Sequence, residues 1–196
     1  IDLLSDFEVA DRIAAYSPAA QTTQLPTIVA VEESLSLQVD QPLNLTAMNL
    51  GGTVQVRFPD GAGGFLDGID TRVVAPRPFV LTRVPPGAAG GDIRLLVDGV
   101  ESQGFPVAIE PGVYDPGPFA ISGVVRDSLG SPVRNVLVAL FRITCTDEFV
   151  DYTITDTAGA YTLQHPGGDG FALFFVPSPA AGLAPVLRLL HPSRRQ

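Results

Sequence analysis

The sequence contains no lysine and only one cysteine, one methionine and two histidines among 196 residues. A single cysteine, Cys145, excludes an intramolecular disulfide, and the scarcity of cysteine and histidine excludes the usual zinc-ligand patterns. We expect Cys145 to be a buried small hydrophobe, because free cysteine is most often buried; an intermolecular bridge is the alternative.

Positive charge and long apolar runs are also scarce. The chain has 12 arginines against 21 acidic residues, a net charge of −9. Nucleic-acid binding requires a basic surface, so a nucleic-acid partner is excluded. The longest apolar runs, such as Phe171–Pro177, are too short to cross a bilayer, and no membrane span is predicted.

Glycine and proline are abundant instead, with 20 and 18 copies, and they separate short segments of alternating polarity. Ile121, Gly123 and Val125 share one face of a predicted strand, and Tyr161 and Leu163 share one face of another. No segment has a convincing helical period of adequate length. Many short alternating strands with regular turns predict an all-β protein of two tandem β-sandwiches with an N-terminal extension.

Four ranges follow from the composition. Residues 1–24 form an N-terminal amphipathic extension and linker, residues 25–110 the first sandwich, residues 111–118 a Pro/Gly connector, and residues 119–196 the second sandwich. Three prolines in the connector restrict its backbone. The dipeptides Asp60-Gly61 and Asp98-Gly99 predict hairpin turns in the first sandwich, since both residue types tolerate positive φ.

The second unit resembles the carboxypeptidase regulatory-like family, which has a transthyretin-like fold. The matching segments are Ser122-Gly123-Val124-Val125, Gly130-Ser131-Pro132-Val133-Arg134-Asn135-Val136-Leu137-Val138, Thr155-Asp156-Thr157-Ala158-Gly159-Ala160-Tyr161-Thr162-Leu163 and Pro166-Gly167-Gly168. Gly130 and Gly159 supply tight turns, and Asp156 is expected to accept backbone N–H groups within its turn. The resemblance implies a sandwich without catalytic residues. Some relatives carry a Lys–Asn isopeptide crosslink, which the absence of lysine excludes here.

The first unit resembles the IPT/TIG group of immunoglobulin-like domains. The matching segments are Pro26-Thr27-Ile28, Pro42-Leu43-Asn44-Leu45, Val54-Gln55-Val56-Arg57-Phe58, the block from Val84 to Ser102, and the closing Phe105–Ile109. In bacteria such domains look like spacers and binding modules of exported surface proteins. The chain begins at Ile1 and not at Met, which is typical of removal of a signal peptide, so we expect an extracellular or cell-surface protein.

Candidate chemistry is sparse. His165 and His191 each precede a proline and lack converging ligand or triad partners. Asp67-Gly68-Ile69-Asp70 lacks the spacing of a calcium loop. Asn44-Leu45-Thr46 is a glycosylation sequon, but it lies in a predicted strand, so we expect no sugar there. We therefore predict no enzyme activity, no catalytic residues, no cofactor and no metal site.

Residues 1–16 belong to neither resemblance. Read as a strand, six of the eight odd positions are apolar and the even positions carry most of the charges; a helical reading, with Ser5 as the cap and Glu8 three residues later, stays open. In both readings the apolar face requires a partner, either its own domain or a neighbouring subunit. The predicted contact residues are Ile1, Leu3, Phe7, Val9, Ile13 and Tyr16.

The sequence therefore predicts a structural protein that assembles head-to-tail into a fibre or surface layer through this segment, with copies of itself as partners. The alternative is an adhesin or carbohydrate-binding module of a larger surface protein, with glycans or other surface proteins as partners.

Overall fold

The computed structural model describes residues 25–31, 36–74, 78–143, 148–168 and 170–177, together with the backbone of residues 186–190. These residues form sixteen β-strands and no helix, so the predicted all-β sandwich architecture is confirmed. Within these ranges, no helix is long and apolar enough to span a membrane.

The first sandwich contains ten strands arranged in two sheets. Its strands are β1 (Thr27–Val31), β2 (Ser36–Val39), β3 (Pro42–Met48), β4 (Val54–Pro59), β5 (Phe65–Asp67), β6 (Ile69–Val74), β7 (Phe79–Arg83), β8 (Gly91–Val97), β9 (Val100–Glu101) and β10 (Phe105–Val113). One sheet has the order β1-β3-β7-β6, and the other has the order β2-β10-β8-β4-β5 with β9 paired to β8.

The second sandwich contains six strands, β11 (Phe119–Val124), β12 (Leu137–Arg142), β13 (Glu148–Ile154), β14 (Ala160–His165), β15 (Phe171–Val176) and β16 (Val186–Leu190). Strands β13-β12-β15-β16 form a four-stranded sheet. Strands β11 and β14 form a two-stranded sheet, and the core between the two sheets contains Val138, Leu140, Leu163 and Leu173.

Alternation of apolar and polar residues explains why these segments form strands. In β8 the side chains of Ile93, Leu95 and Val97 are buried in the first core, whereas Asp92 is exposed and Arg94 only partly buried. This period of two is the pattern of a strand with one face on a core. Burying such a face contributes about 25 cal/mol per Å² of apolar surface.

Several strands depart from this alternation, and in β7 and β12 both faces are covered. In β12 the residues Leu137 to Leu140 are all buried, and in β7 the residues Val80, Leu81 and Thr82 are all buried. Val80 belongs to the core of the first sandwich, whereas Leu81 packs with residues of the second sandwich. The two sandwiches therefore contact each other through sheet faces.

The two strands predicted around Ile121 and Tyr161 are observed as β11 and β14, whereas β2, β5 and β9 were not predicted. Strand β2 pairs parallel to β10, and β5 and β9 are only three and two residues long. Strand β10 continues to Val113, so the first three residues of the predicted connector 111–118 belong to a strand. The Tyr114 N–H then donates to the Val39 carbonyl at 2.8 Å, which holds Tyr114 to the first sandwich.

Candidate functional site

The turn that contains Asp156 and Gly159 has the geometry predicted from the sequence. Asp156 Oδ1 accepts the backbone N–H groups of Ala158 and Ala160 at 2.8 and 2.9 Å. Gly159 has a φ of 70°, and its N–H donates to the Asp156 carbonyl at 3.0 Å. Asp156 therefore holds the turn closed, and Gly159 supplies the left-handed backbone conformation that the turn requires.

The same turn occurs twice more. Asp127 Oδ1 accepts from the N–H groups of Leu129 and Ser131, both at 2.9 Å, and Gly130 has a φ of 85°. Asp60 Oδ1 accepts from Ala62 and Gly64, both at 2.8 Å.

All three turns share the spacing Asp-x-x-Gly, at residues 60–63, 127–130 and 156–159. These backbone hydrogen bonds hold the pKa of the Asp60 carboxyl below its ordinary value. The three aspartates thus stabilise turns, which is an architectural role.

The contact between the two sandwiches centres on an ion pair between Arg83 of β7 and Asp151 of β13. The Arg83 guanidinium also donates to the Tyr152 carbonyl at 2.9 Å. Asp151 accepts the N–H groups of Tyr152 and Gln164 at 2.7 and 3.3 Å. Burial raises the pKa of Asp151, and Arg83 is the strongest opposing influence. The pair is therefore a buried, hydrogen-bonded ion pair that joins the two sandwiches.

Tyr152 makes a second polar link across the same contact. Its hydroxyl lies 3.2 Å from the Ile69 carbonyl oxygen and 3.1 Å from that of Asp70, both at the start of β6. The hydroxyl carries one hydrogen, so the two carbonyls share it. Burial raises the pKa of Tyr152 above its ordinary value, and the hydroxyl stays a donor across the physiological range.

Apolar side chains surround these polar links. Leu81 of β7 packs into a buried cluster with Leu137, Ala139, Phe149 and Tyr152 of the second sandwich. An apolar cleft opens beside this cluster, and Asn44 of β3 lines it together with Leu81, Leu137 and Phe141. Asn44 is fully buried, so its sequon is inaccessible in the folded chain.

A separate cluster lies on the opposite sheet of the first sandwich. Glu101 of β9 pairs with Arg57 of β4 at 2.6 Å and with Arg94 of β8 at 2.9 Å. Both guanidinium groups lie near the Phe65 ring, with centroid distances of 4.9 and 5.3 Å. The two arginines hold the pKa of Glu101 below its ordinary value. This cluster is half-exposed and combines an aromatic ring with charged hydrogen-bonding groups.

The remaining predicted residues divide into those the structure describes and those it does not. The predicted contact residues Ile1, Leu3, Phe7, Val9, Ile13 and Tyr16 lie outside the described residues, as do Cys145 and His191.

His165 ends β14 between the rings of Phe119 and Phe171, with centroid distances of 5.7 and 4.6 Å. Burial, and then Arg142, lower its pKa, so this histidine is a neutral packing residue near neutral pH. Among the described residues, no three His, Cys, Asp or Glu side chains converge into a metal site.

The residues of the sandwich contact were not identified from the sequence. Arg83 and Asp151 are separated by 68 positions, and neither belongs to a motif. One signal was available: the run of apolar residues in β12 breaks the period of two, as expected for a strand that is covered on both faces.

No protein-family model matches the chain, and no curated protein matches it. Among solved structures, the chain is similar to SGBP-B from a complex xyloglucan utilization locus in Bacteroides uniformis, with 12% identity, a TM-score of 0.36, and coverage of 78% of this chain and 46% of that one. It is also similar to the group B streptococcus pilus 2b backbone protein, with 11% identity, a TM-score of 0.30, and coverage of 84% and 89%.

A third similar structure is SGBP-B of the Bacteroides ovatus mixed-linkage glucan utilization locus in complex with a mixed-linkage heptasaccharide, with 12% identity, a TM-score of 0.31, and coverage of 76% and 39%. The chain thus spans less than half the length of both SGBP-B proteins. Similarities at this level do not identify a function.

Proposed function

We propose that this protein is a non-enzymatic, extracellular structural subunit that assembles into a fibre or surface layer, with the segment of residues 1–16 as the contact between subunits. Its two sandwiches act as one load-bearing unit, and copies of the same chain are its partners.

The observation that carries the proposal is the contact between the sandwiches. A chain that only spaces two independent domains needs no more than a connector. Here Arg83 and Asp151 pair across the contact, Tyr152 bonds to β6, and Leu81 is buried against the second sandwich. Such a contact resists bending between the domains, which is the property that a subunit of a fibre requires.

Five carboxylates with structural contacts support a role without catalysis. Asp60, Asp127 and Asp156 accept backbone N–H groups within their own turns. Asp151 forms an ion pair with Arg83, and Glu101 forms one with Arg94. A general base or nucleophile requires a group that faces an open site, whereas these carboxylates are engaged in holding turns and strands.

The test is the assembly state of the full chain, measured by size-exclusion chromatography with light scattering and by negative-stain electron microscopy. We expect polymers from the full chain and monomers after deletion of residues 1–16. A matched pair of variants refines the test: Phe7→Asp places a charge on the apolar face and should prevent assembly, whereas Asp6→Asn should not. Unchanged polymers after the deletion would overturn the proposal.

The second candidate function is a carbohydrate-contacting module. The cluster of Phe65 with Arg57, Arg94 and Glu101 favours it. An aromatic ring beside guanidinium and carboxylate groups combines an apolar surface with orienting polar groups, as small-ligand sites do. A monomeric full chain that binds on a glycan array, and that loses binding in the Phe65→Ala variant, would support this function. If the chain binds no glycan on the array, carbohydrate binding is excluded for the glycans tested.

A further inference from the structure

The second sandwich has an unequal pair of sheets. Among the residues that the structure describes there, four strands, β13-β12-β15-β16, face two, β11 and β14. Strand β14 lies next to β13, because Gln164 of β14 donates its N–H to Asp151 of β13. Strand β11 is therefore the edge of the smaller sheet that lies away from β13.

The edge of β11 is regular and continuous. All six residues from Phe119 to Val124 pair with β14 without a register shift, and among the described residues β11 pairs with no other strand. The next residue, Val125, donates its N–H to Gly159 on the β14 side. Since N–H directions alternate along a strand, the N–H and C=O groups of Ala120, Ser122 and Val124 face the open side.

Nothing on β11 protects this edge from pairing. Natural sheets protect their edges with charges, prolines, bulges or very short strands. Strand β11 contains no charge and no proline. The edge strands β1 and β6 of the first sandwich have register shifts, and β5 has only three residues.

Apolar surface is exposed along the same strand. Phe119 is 54% exposed and Val124 is 48% exposed. On the inner face of the sheets, Ile121 of β11 and Phe175 of β15 pack against the core but are only partly buried. A strand beside β11 would bury more of these side chains and would satisfy the backbone groups of the edge.

The sequence ahead of β1 supplies a segment that fits this edge. Residues 1–16 carry apolar side chains at six of eight odd positions, and their charged residues lie mainly at even positions. A strand with that alternation places one apolar face on a core and one polar face in solvent. Sixteen residues exceed the six of β11, so the segment is long enough to cover the whole edge.

We infer that the edge of β11 is the acceptor for residues 1–16 of a second copy of the chain, which adds a strand to the two-stranded sheet. The inference rests on the proposed function, because it specifies where the assembly segment binds. Each subunit then gives one strand and receives another, and such a head-to-tail contact continues into a filament.

Disulfide trapping in the full chain tests this pairing. In a Cys145→Ser background, Ser122→Cys presents a thiol on the exposed face of β11. Residues directly opposite in antiparallel strands lie within the range of a disulfide. We expect an intermolecular crosslink with a cysteine at the one even position among Asp6, Glu8 and Ala10 that lies opposite Ser122, and none with a cysteine at the odd position Phe7. Thr46→Cys is the control acceptor, because β3 has a strand on either side.

The outcomes separate this inference from the proposed function. Polymers that form without crosslinks to Ser122→Cys would overturn the β11 acceptor and leave the proposed function intact. Crosslinks within a single chain would show that residues 1–16 pair with β11 of their own chain, and would overturn the inference that a second copy supplies the strand. Monomers alone would overturn both proposals.

A backbone variant gives an independent measurement. Ala120→Pro removes an N–H that faces the open side and keeps the pairing with β14, as proline on an edge strand does. We expect subunit association to weaken about tenfold, because a carbonyl oxygen of the added strand loses the N–H group that donates to it. Ala120→Ser keeps the N–H and should assemble normally. Matching melting temperatures must show that both variants fold, and normal assembly of a folded Ala120→Pro variant would contradict the inference.

Discussion

The ion pair between Arg83 and Asp151 provides a quantitative test of the contact between the sandwiches. The side chains of Arg83 and Asp151 are only 21% and 8% exposed, so Arg83→Ala leaves a carboxylate without its cation and away from water. Removing one partner of a buried ion pair costs about 3–5 kcal/mol. Asp151 keeps the backbone N–H groups of Tyr152 and Gln164, so we expect a loss at the lower end, about 3 kcal/mol.

The loss of folding stability in Arg83→Ala should depend on pH in a defined direction. Burial raises the pKa of Asp151, and Arg83 opposes that shift, so in the variant this carboxyl takes up its proton at a higher pH. A carboxyl whose pKa is higher in the folded state than in the unfolded chain lowers stability as pH rises through the folded pKa. The cost of Arg83→Ala should therefore be largest near neutral pH and shrink as pH falls towards the ordinary value of 3.8.

Chemical denaturation at several pH values measures both effects. Arg142→Ala is the matched control, because the pair between Arg142 and Glu148 is more exposed, at 29% and 55%, and exposed pairs contribute about 0–1 kcal/mol. If Arg83→Ala costs no more than Arg142→Ala, the ion pair does not stabilise the contact and the reasoning is refuted.

Three further predictions concern turns and hydrogen bonds. Gly159→Ala should destabilise more than Gly130→Ala in denaturation experiments, because both residues have positive φ but a Cβ on Gly159 would lie 2.5 Å from the Val125 carbonyl oxygen, whereas one on Gly130 meets nothing within 4 Å. Tyr152→Phe should cost about 1 kcal/mol by the same measurement, since it removes one hydrogen bond between the sandwiches. Asp60→Ala should destabilise above pH 3.8, and the difference should vanish as pH falls through the lowered pKa of Asp60; a difference independent of pH would contradict this.

The turns were predictable because their chemistry is local. Asp156 and its N–H donors lie within four positions of each other, and the glycine that the backbone requires is inside the same turn. The hairpin turn at Asp98-Gly99 was predicted for the same reason, and both residues have positive φ, at 48° and 85°. Information of this kind is contained in a few consecutive residues.

The strands that were missed show the limit of periodicity. Strands β5 and β9 are too short for an alternation to be visible. Strand β2 does alternate, with Leu37 buried and its neighbours half-buried, and could have been found from Leu35, Leu37 and Val39. Its parallel pairing with β10, however, joins segments that are distant in sequence.

The sequence by itself determined the all-β class, the positions of most strands and the Asp-x-x-Gly turns, because alternation and turn chemistry act between neighbouring residues. Only the tertiary structure decided that Arg83 pairs with Asp151, that Leu81 is covered by the second sandwich, and that β11 has an open edge. These features depend on which sheet faces meet and which strands lie side by side. Their free energies arise from burial and from the loss of water between distant segments, and no local pattern identifies which distant segments meet.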